Sequence, residues 1–317
     1  MPAPALFLVS GLAQYGGAAL AVALFAVLPS PTVAWLRIAV AALVLLAWRR
    51  PWRARWTRAD LLAAAAFGVV LAVMNVAFYV AIDVLPLGTA VAIEFLGPVA
   101  VAAVTGRSWR ERGGIGVAAV GVVLLAGVQL EGGGEPGAVR GLVAIGVAAG
   151  CWAGYILLGR RVAQGSRRRG PGEVAVGRPG PAEGGDPTRA VAPVDDARPA
   201  PDGITSLAVG MTAGALVGAP LLAAPAAPVL HDAGLALAVV GIAVLSSVVP
   251  YAIEQVVLRR VTAATFAVLL AMLPATAAVV GAVALRQWPH GWEVVGLGCV
   301  TAAIVLTATR RGPGRVD

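Results

Sequence analysis

The chain alternates between long apolar runs and short polar gaps that contain arginine. Most runs approach the ~20 residues that a helix needs to cross the hydrocarbon core of a bilayer. Continuous apolar runs of this length are typical of membrane-spanning helices rather than of strands. The pattern predicts an all-α membrane protein with ten transmembrane helices, at about residues 5–28, 31–48, 60–82, 87–105, 113–130, 138–159, 204–222, 234–257, 262–284 and 291–309.

The composition supports this interpretation. Of the 317 residues, 59% are hydrophobic and only 13% are charged, whereas an ordinary soluble domain has about 25% charged residues. The start, MPAPALFLVSGLAQYGG, has no basic segment before its apolar run, so it is interpreted as the first membrane helix rather than as a signal peptide. We therefore expect a multi-pass protein of the cell (inner) membrane, with the lipid bilayer as its surroundings.

The arginines predict the orientation. The net charge is +8 and all 24 basic residues are arginine. Twenty-one of them lie in the gaps after the second, fourth, sixth and eighth runs or in the C-terminal tail. Cytoplasmic loops carry such an excess of positive charge, so both termini are predicted to be cytoplasmic. Because the arginines recur in these gaps rather than form one patch, nucleic acid is not a predicted partner.

Residues 165–203 differ from the rest of the chain. They contain 8 Gly, 7 Pro and no aromatic residue, a composition that cannot bury a core. A flexible cytoplasmic linker is the favoured interpretation, and a regulatory or partner-binding segment is the alternative. The predicted organisation is a first five-helix repeat at 1–130, the start of a second at 131–164, the linker at 165–203, the rest of the second repeat at 204–309 and a cytoplasmic tail at 310–317.

Two stretches indicate an internal repeat. GTAVAIEFLGP aligns with ATFAVLLAMLP at an offset of 176 residues, so that Pro98 falls on Pro274. The pattern E-x-x-G-x-G then occurs at Glu111 and again at Glu293. Because five helices reverse the direction of the chain, the second repeat is predicted to be inverted relative to the first. Secondary transporters often have this plan, with the substrate site near the midplane between the repeats.

Three stretches resemble a known family. FYVAIDVLPLGTAVAIEFLGPVAVAA, CWAGYILLGRRVA and AVLSSVVPYAIEQVVLRRV are similar to the threonine/homoserine exporter branch of the EamA family, in the drug/metabolite transporter superfamily. The resemblance covers nearly the whole chain except 165–203. It implies a carrier, driven by protons or by the substrate gradient, that exports a small molecule such as threonine or homoserine. The alternatives are transport of another metabolite or drug in either direction and, from a different class, a membrane enzyme or a scaffold without transport activity.

Glu94 and Arg37 lie several residues inside apolar runs. Glu94 is about 12 Å from the outer end of the fourth run and Arg37 about 9 Å from the outer end of the second, at 1.5 Å per helical residue. A charge near the bilayer centre costs at least ~2.5 kcal/mol, and such residues usually face the interior of the bundle. The sequence leaves three interpretations open: a structural ion pair between them, a substrate or proton site that includes Glu94, or a position that faces lipid without a function.

Further polar and aromatic residues are candidates for the lining of a central pathway. At the offset of 176, Asn75 falls on Tyr251 and Tyr79 on Gln255, which predicts equivalent positions in the two repeats. Packing and anchoring at the membrane interface are the alternative interpretation for each residue. The candidates for the substrate or proton pathway, besides Glu94 and Arg37, are Gln14, Tyr15, Asn75, Tyr79, Trp152, Tyr251, Glu254 and Gln255, and the predicted helix bends are at Pro98, Pro250 and Pro274.

Nothing in the sequence predicts an enzyme, a metal site or a cofactor. The two histidines, His231 and His290, fall in connecting loops, without a Cys/His cluster of metal-ligand spacing. P-loop, G-x-S-x-G and H-E-x-x-H patterns do not occur in the sequence. The sequence leaves the choice between a monomer and a homodimer open.

Overall fold

The fold is helical. The computed structural model describes residues 3–105, 109–131, 137–168, 201–258, 261 and 269–308, and every regular element in them is a helix, so the prediction of an all-α protein is confirmed for this part. Most of the predicted linker, and the tail after residue 308, lie outside the described residues. The elements are α1 (Ala3–Leu24), α2 (Ser30–Arg49), α3 (Arg58–Ile82), α4 (Leu87–Glu94), α5 (Leu96–Thr105), α6 (Trp109–Glu131), α7 (Ala138–Arg168), α8 (Gly203–Leu222), α9 (Ala233–Ala243), α10 (Val249–Leu258), α11 (Met272–Leu285) and α12 (Trp292–Ala308), with 3₁₀ turns at Pro51–Arg53 and Ala224–Leu230 and a π-helical segment at Val244–Val248.

Six helical segments of the described part are long and apolar enough to cross a membrane. Four further apolar helices are shorter, so the count of ten spans remains a prediction. Many large apolar side chains point away from the protein, among them Leu43, Leu62, Leu216 and Leu221. A surface of apolar side chains suits hydrocarbon rather than water. The helices suit it as well, because each satisfies its backbone polar groups internally. The six spans are Ala3–Leu24, Ser30–Arg53, Arg58–Ile82, Arg112–Leu130, Gly203–Leu222 and Ala233–Glu254.

Side chains in the gaps define several helix ends. Thr57 and Asp60 form a reciprocal capping box at the start of α3. Asp202 accepts a hydrogen bond from the backbone of Thr205 at the start of α8 and forms a salt bridge with Arg49 at the end of α2. The salt bridge joins the end of α2 to the start of α8 at one end of the bundle.

Glycine spacing has different consequences in two helices. In α8, Gly210 and Gly214 meet Gly68 of α3 so closely that added Cβ atoms would overlap backbone atoms. The same spacing in α7, at Gly146 and Gly150, faces open space. Small-residue spacing favours close contact between helices. It has this effect in α8 but not in α7, because that face of α7 has no neighbour among the described residues.

Two helical runs are interrupted just before a proline. α4 ends at Glu94 and α5 begins at Leu96. The interruption therefore falls at Phe95, three residues before Pro98. Proline has no N–H, so the Glu94 carbonyl, four residues before Pro98, loses its usual helical donor. Ala271, three residues before Pro274, lies in a similar turn at the start of α11. The first of these interruptions therefore falls beside Glu94, which carries a carboxylate.

Candidate substrate site

Arg37 of α2 is a buried cation held by α3. Its Nη1 donates a hydrogen bond of 3.3 Å to the Tyr79 hydroxyl, and its Nη2 donates one to Asn75 Oδ1. The guanidinium also lies over the Tyr79 ring, 5.1 Å from the ring centroid. The side chain is buried, with 6% of its surface exposed, and its Nε has no hydrogen-bond partner. Arg37 therefore retains donor capacity inside the bundle.

The two partners of Arg37 come from one face of α3. Asn75 and Tyr79 are four residues apart, and this spacing places them one above the other on a helix. Asn75 Nδ2 donates a 2.7 Å hydrogen bond to the Leu71 carbonyl, which turns its Oδ1 toward Arg37. Tyr79 is fully buried and packs edge-on against Phe25, with 5.9 Å between ring centroids. Packing and hydrogen bonds thus fix both groups before any ligand arrives.

Glu94 is less buried than the other residues of α4. Residues 87–93 and Phe95 are buried, whereas Glu94 is only partly buried. α4 is packed among α3, α7, α11 and α12, so Glu94 lies on a helix inside the bundle. Trp152 of α7 packs edge-on against Phe95, the residue after Glu94, with 4.8 Å between ring centroids.

Arg37 and Glu94 do not form a direct ion pair. Within the described part of the chain, no carboxylate oxygen lies within 4.0 Å of the Arg37 guanidinium. The two charges nevertheless interact electrostatically across the interior. The sequence predicts similar depths in the membrane for the two residues. In the structure, however, Arg37 donates its side-chain hydrogen bonds to Asn75 and Tyr79. The structure thus brings the two charges into one region without a direct contact between them.

Tyr15 links this region to a second acidic group. Tyr15 of α1 is buried and interacts electrostatically with both Glu94 and Glu254. Glu254, on α10, is itself only partly buried. The Tyr15 hydroxyl therefore lies in an interior region that carries two acidic side chains from opposite halves of the chain.

The remaining candidates lie on α1 and α10. Gln14 is partly buried, and its backbone carbonyl accepts a 3.3 Å hydrogen bond from the Ser246 hydroxyl. Tyr251 is partly buried on α10 and packs against a cluster formed by α2, α3 and α8. Gln255 lies on α10, but its side chain is outside the described part. The contacts of Gln255 therefore stay a prediction.

The sequence analysis missed the serine pair of the π-helical segment. Ser246 lies against α1, where a Cβ atom on Gly17 would be 2.2 Å from its hydroxyl oxygen. Ser247 is fully buried and its hydroxyl has no hydrogen-bond partner. The available signal is Pro250, which cannot donate to the carbonyl of Ser246 and so disturbs the helix at this point.

A groove elsewhere contrasts with this polar interior. It lies between α11 and α12, encloses about 730 Å³ and contains a single polar side chain, Thr301. It has no charged group, unlike the region around Arg37 and Glu94. Within the described residues, no group of three His, Cys, Asp or Glu side chains is placed to hold a metal ion. The other lining residues of the groove are Ala275, Ala278, Leu297, Gly298, Ala302, Val305 and Leu306.

The apolar exterior and the six long apolar spans of the described part are those of a multi-pass membrane protein, and the comparisons with known proteins place it among transporters. Residues 199–309 match the EamA-like transporter family. The chain is 32% identical over 306 residues to the threonine/homoserine exporter RhtA of Escherichia coli strain K12, which covers 94% of this chain and 88% of that protein. It is also 32% identical to RhtA of Salmonella typhimurium strain LT2, covering 90% of this chain and 84% of the relative. The chain belongs to the EamA-like transporter family.

A solved structure supports the same architecture. A protein of known crystal structure superposes with a TM-score of 0.51 over 96% of this chain and 95% of its own, at 15% identity. This likeness concerns the fold alone. The resemblance to the EamA family and to its threonine/homoserine exporter branch is thus confirmed by the sequence relatives, and the family consists of transporters rather than enzymes.

Proposed function

We propose that the protein is a secondary transporter that exports small amino acids such as threonine or homoserine, coupled to protons by alternating access. The observation that carries the proposal is the identity of 32% with RhtA along almost the full length of both chains. The interior supports it, because a zwitterionic cargo needs one cationic and one anionic partner, and Arg37 and Glu94 supply these charges.

The proposed architecture is ten transmembrane helices in two inverted five-helix repeats. Its support is the pair of helix interruptions at Phe95 and Ala271, which are 176 residues apart and each stand three residues before a proline. This is the same offset that aligns Pro98 with Pro274. Related bends in the two halves would let the repeats exchange conformations, which is a physical route to alternating access.

The proposed orientation has both termini and the 165–203 linker in the cytoplasm. Arg49, Arg53 and Arg58 cluster at the junction of α2 and α3, the proposed cytoplasmic end. Arg140 at the start of α7 and Arg286 at the end of α11 belong to the proposed periplasmic end, which has few arginines.

In the proposed coupling, Glu94 exchanges a proton for the ammonium group of the cargo. A partly buried carboxylate on a helix inside the bundle fits this role, because intramembrane carboxylates commonly mark proton and substrate pathways. The further candidates for this pathway are Gln14, Tyr15, Trp152, Tyr251, Glu254 and Gln255.

The test is counterflow in proteoliposomes. Vesicles loaded with unlabelled threonine should accumulate labelled threonine from outside, and homoserine should compete. An imposed pH gradient should then drive concentrative transport. Exchange that occurs only with another metabolite or a drug would contradict the proposed cargo, and absence of any exchange would contradict a carrier.

A further inference from the structure

The hydrogen-bond partners of Arg37 do not neutralise its positive charge. Asn75 and Tyr79 are both neutral, and the Arg37 Nε donates to nothing in the described structure although it is buried. A buried charge is costly unless it is paired, and each unmade hydrogen bond adds to that cost. The arrangement therefore suits the binding of an anionic group that a ligand, rather than the protein, supplies.

We propose that Arg37, Asn75 and Tyr79 form the subsite that binds the α-carboxylate of the cargo. The inference rests on the proposed function as an amino-acid exporter and names the part of the cargo that this site recognises. A guanidinium has five N–H groups in a planar fork, and the described contacts engage it through one bond from each Nη. The Nε–H and the unused Nη–H groups remain for a carboxylate, which commonly binds guanidinium through two parallel bonds.

The subsite is preorganised. Asn75 is held by the Leu71 carbonyl, and the Tyr79 ring is fully buried beneath the guanidinium. Together they fix the orientation of Arg37 from α3, so the ligand does not have to order the side chain on binding. Preorganised groups bind more tightly because less conformational freedom is lost on association.

Glu94 completes the recognition of a zwitterion. Its carboxylate interacts with Arg37 electrostatically, yet no direct salt bridge joins the two in the described residues. Because no bridge joins the two, an α-amino acid can place its carboxylate at Arg37 and its ammonium group at Glu94. The cargo class is therefore α-amino acids with a free carboxylate, and amino alcohols and esters are excluded.

The wild-type protein provides the first test. Threonine, threonine methyl ester and the amino alcohol made by reducing the threonine carboxylate keep the same side chain, and only threonine has a carboxylate. Purified protein is titrated with each and binding is read from thermal stabilisation; the same three compounds then compete in threonine counterflow. We expect at least about a tenfold loss of affinity for the ester and the alcohol, the effect of losing a hydrogen bond to a charged group.

The outcomes separate this inference from the proposed function. Threonine counterflow with equal competition by all three compounds overturns the carboxylate subsite and leaves amino-acid export standing. Carboxylate-dependent binding without any counterflow supports the subsite and overturns export. Absence of both threonine binding and threonine exchange overturns both.

Variants test the assignment to Arg37. Asn75→Asp puts a fixed carboxylate against the guanidinium, so we expect normal membrane abundance, at least a tenfold loss of threonine affinity, and loss of counterflow. Tyr79→Phe keeps the ring and removes one hydrogen bond, so a several-fold increase in the half-saturating threonine concentration is expected. Arg53→Gln, at an exposed arginine of the turn after α2, is the matched control and should match wild type. Full threonine counterflow in Asn75→Asp would show that Arg37 only stabilises the fold.

Discussion

Gly68 of α3 and Gly210 of α8 touch backbone to backbone: a Cβ atom on Gly68 would lie 1.8 Å from the Gly210 carbonyl oxygen. One turn further along α8, a Cβ atom on Gly214 would lie 2.6 Å from the Gly68 carbonyl oxygen. This contact joins α3, which presents Asn75 and Tyr79, to the second half of the chain. The position of the Arg37 partners therefore depends on two helices that meet through glycine.

Gly68→Ala should destabilise the protein. The added methyl group cannot be accommodated without moving a backbone carbonyl, and overpacking of this kind costs about 1–3 kcal/mol or more. The measurement is the melting temperature in detergent together with membrane abundance. Gly146→Ala is the control, because nothing lies within 4 Å of that position and alanine is a better helix former than glycine. Equal melting temperatures for the two variants would contradict the close contact.

Glu293→Ala should also destabilise the protein. Glu293 is buried and accepts hydrogen bonds of 2.7 Å from Gln129 Nε2 and of 3.2 Å from the His290 backbone N–H, which joins α6 to the start of α12. Removing the acceptor leaves the Gln129 amide unpaired, at a cost of roughly 1–3 kcal/mol. A thermal-unfolding cycle with Gln129→Ala measures the pair. Strictly additive losses in the double variant would show that the two side chains do not interact.

Cysteine labelling should report opposite sides for two exposed residues. In a background with Cys151 and Cys299 replaced by Ser, Trp52→Cys lies in the turn between α2 and α3, and His231→Cys lies between α8 and α9. The arginine distribution places the first in the cytoplasm and the second in the periplasm. An impermeant maleimide added to intact cells should label His231→Cys and reach Trp52→Cys only after the membrane is opened. The reverse pattern would invert the proposed orientation.

The sequence predicted the helices because their cause is local. A segment that crosses hydrocarbon must be apolar and must satisfy its backbone internally, so each apolar run is itself evidence of a helix. The interruption beside Glu94 has a local cause as well, since Pro98 removes one donor from the helix. Such features require no knowledge of the neighbouring helices.

The contacts between helices depend on how each helix is rotated about its own axis. The position of a residue along its helix does not determine that rotation. Depth placed Arg37 near Glu94, whereas the rotation of α2 and α3 pairs Arg37 with Asn75 and Tyr79. For the same reason the glycine spacing of α7 could not be distinguished from that of α8. The π-helical segment with Ser247 was missed because its position follows from packing against α1 as well as from Pro250.

Glu94→Gln should insert normally and lose transport driven by a pH gradient. Glutamine keeps the shape of the side chain but cannot exchange a proton, and Arg37 keeps its bonds to Asn75 and Tyr79 without Glu94. Membrane abundance should therefore stay near wild type, while threonine no longer accumulates against its gradient in vesicles. Asp232→Asn is the control, because Asp232 is an exposed helix cap and asparagine caps equally well.

The alternative role of Glu94 as a structural counterion makes the opposite prediction. Removing one partner of a buried ion pair costs about 3–5 kcal/mol because the other charge is left uncompensated. Glu94→Gln would then reduce abundance, and adding Arg37→Gln would restore both abundance and pH-driven export. The hydrogen bonds of Arg37 to α3 lead us to expect neither effect: the double variant should remain inactive, since it lacks both charges that the cargo requires. Recovery of pH-driven export in the double variant would overturn the coupling role of Glu94.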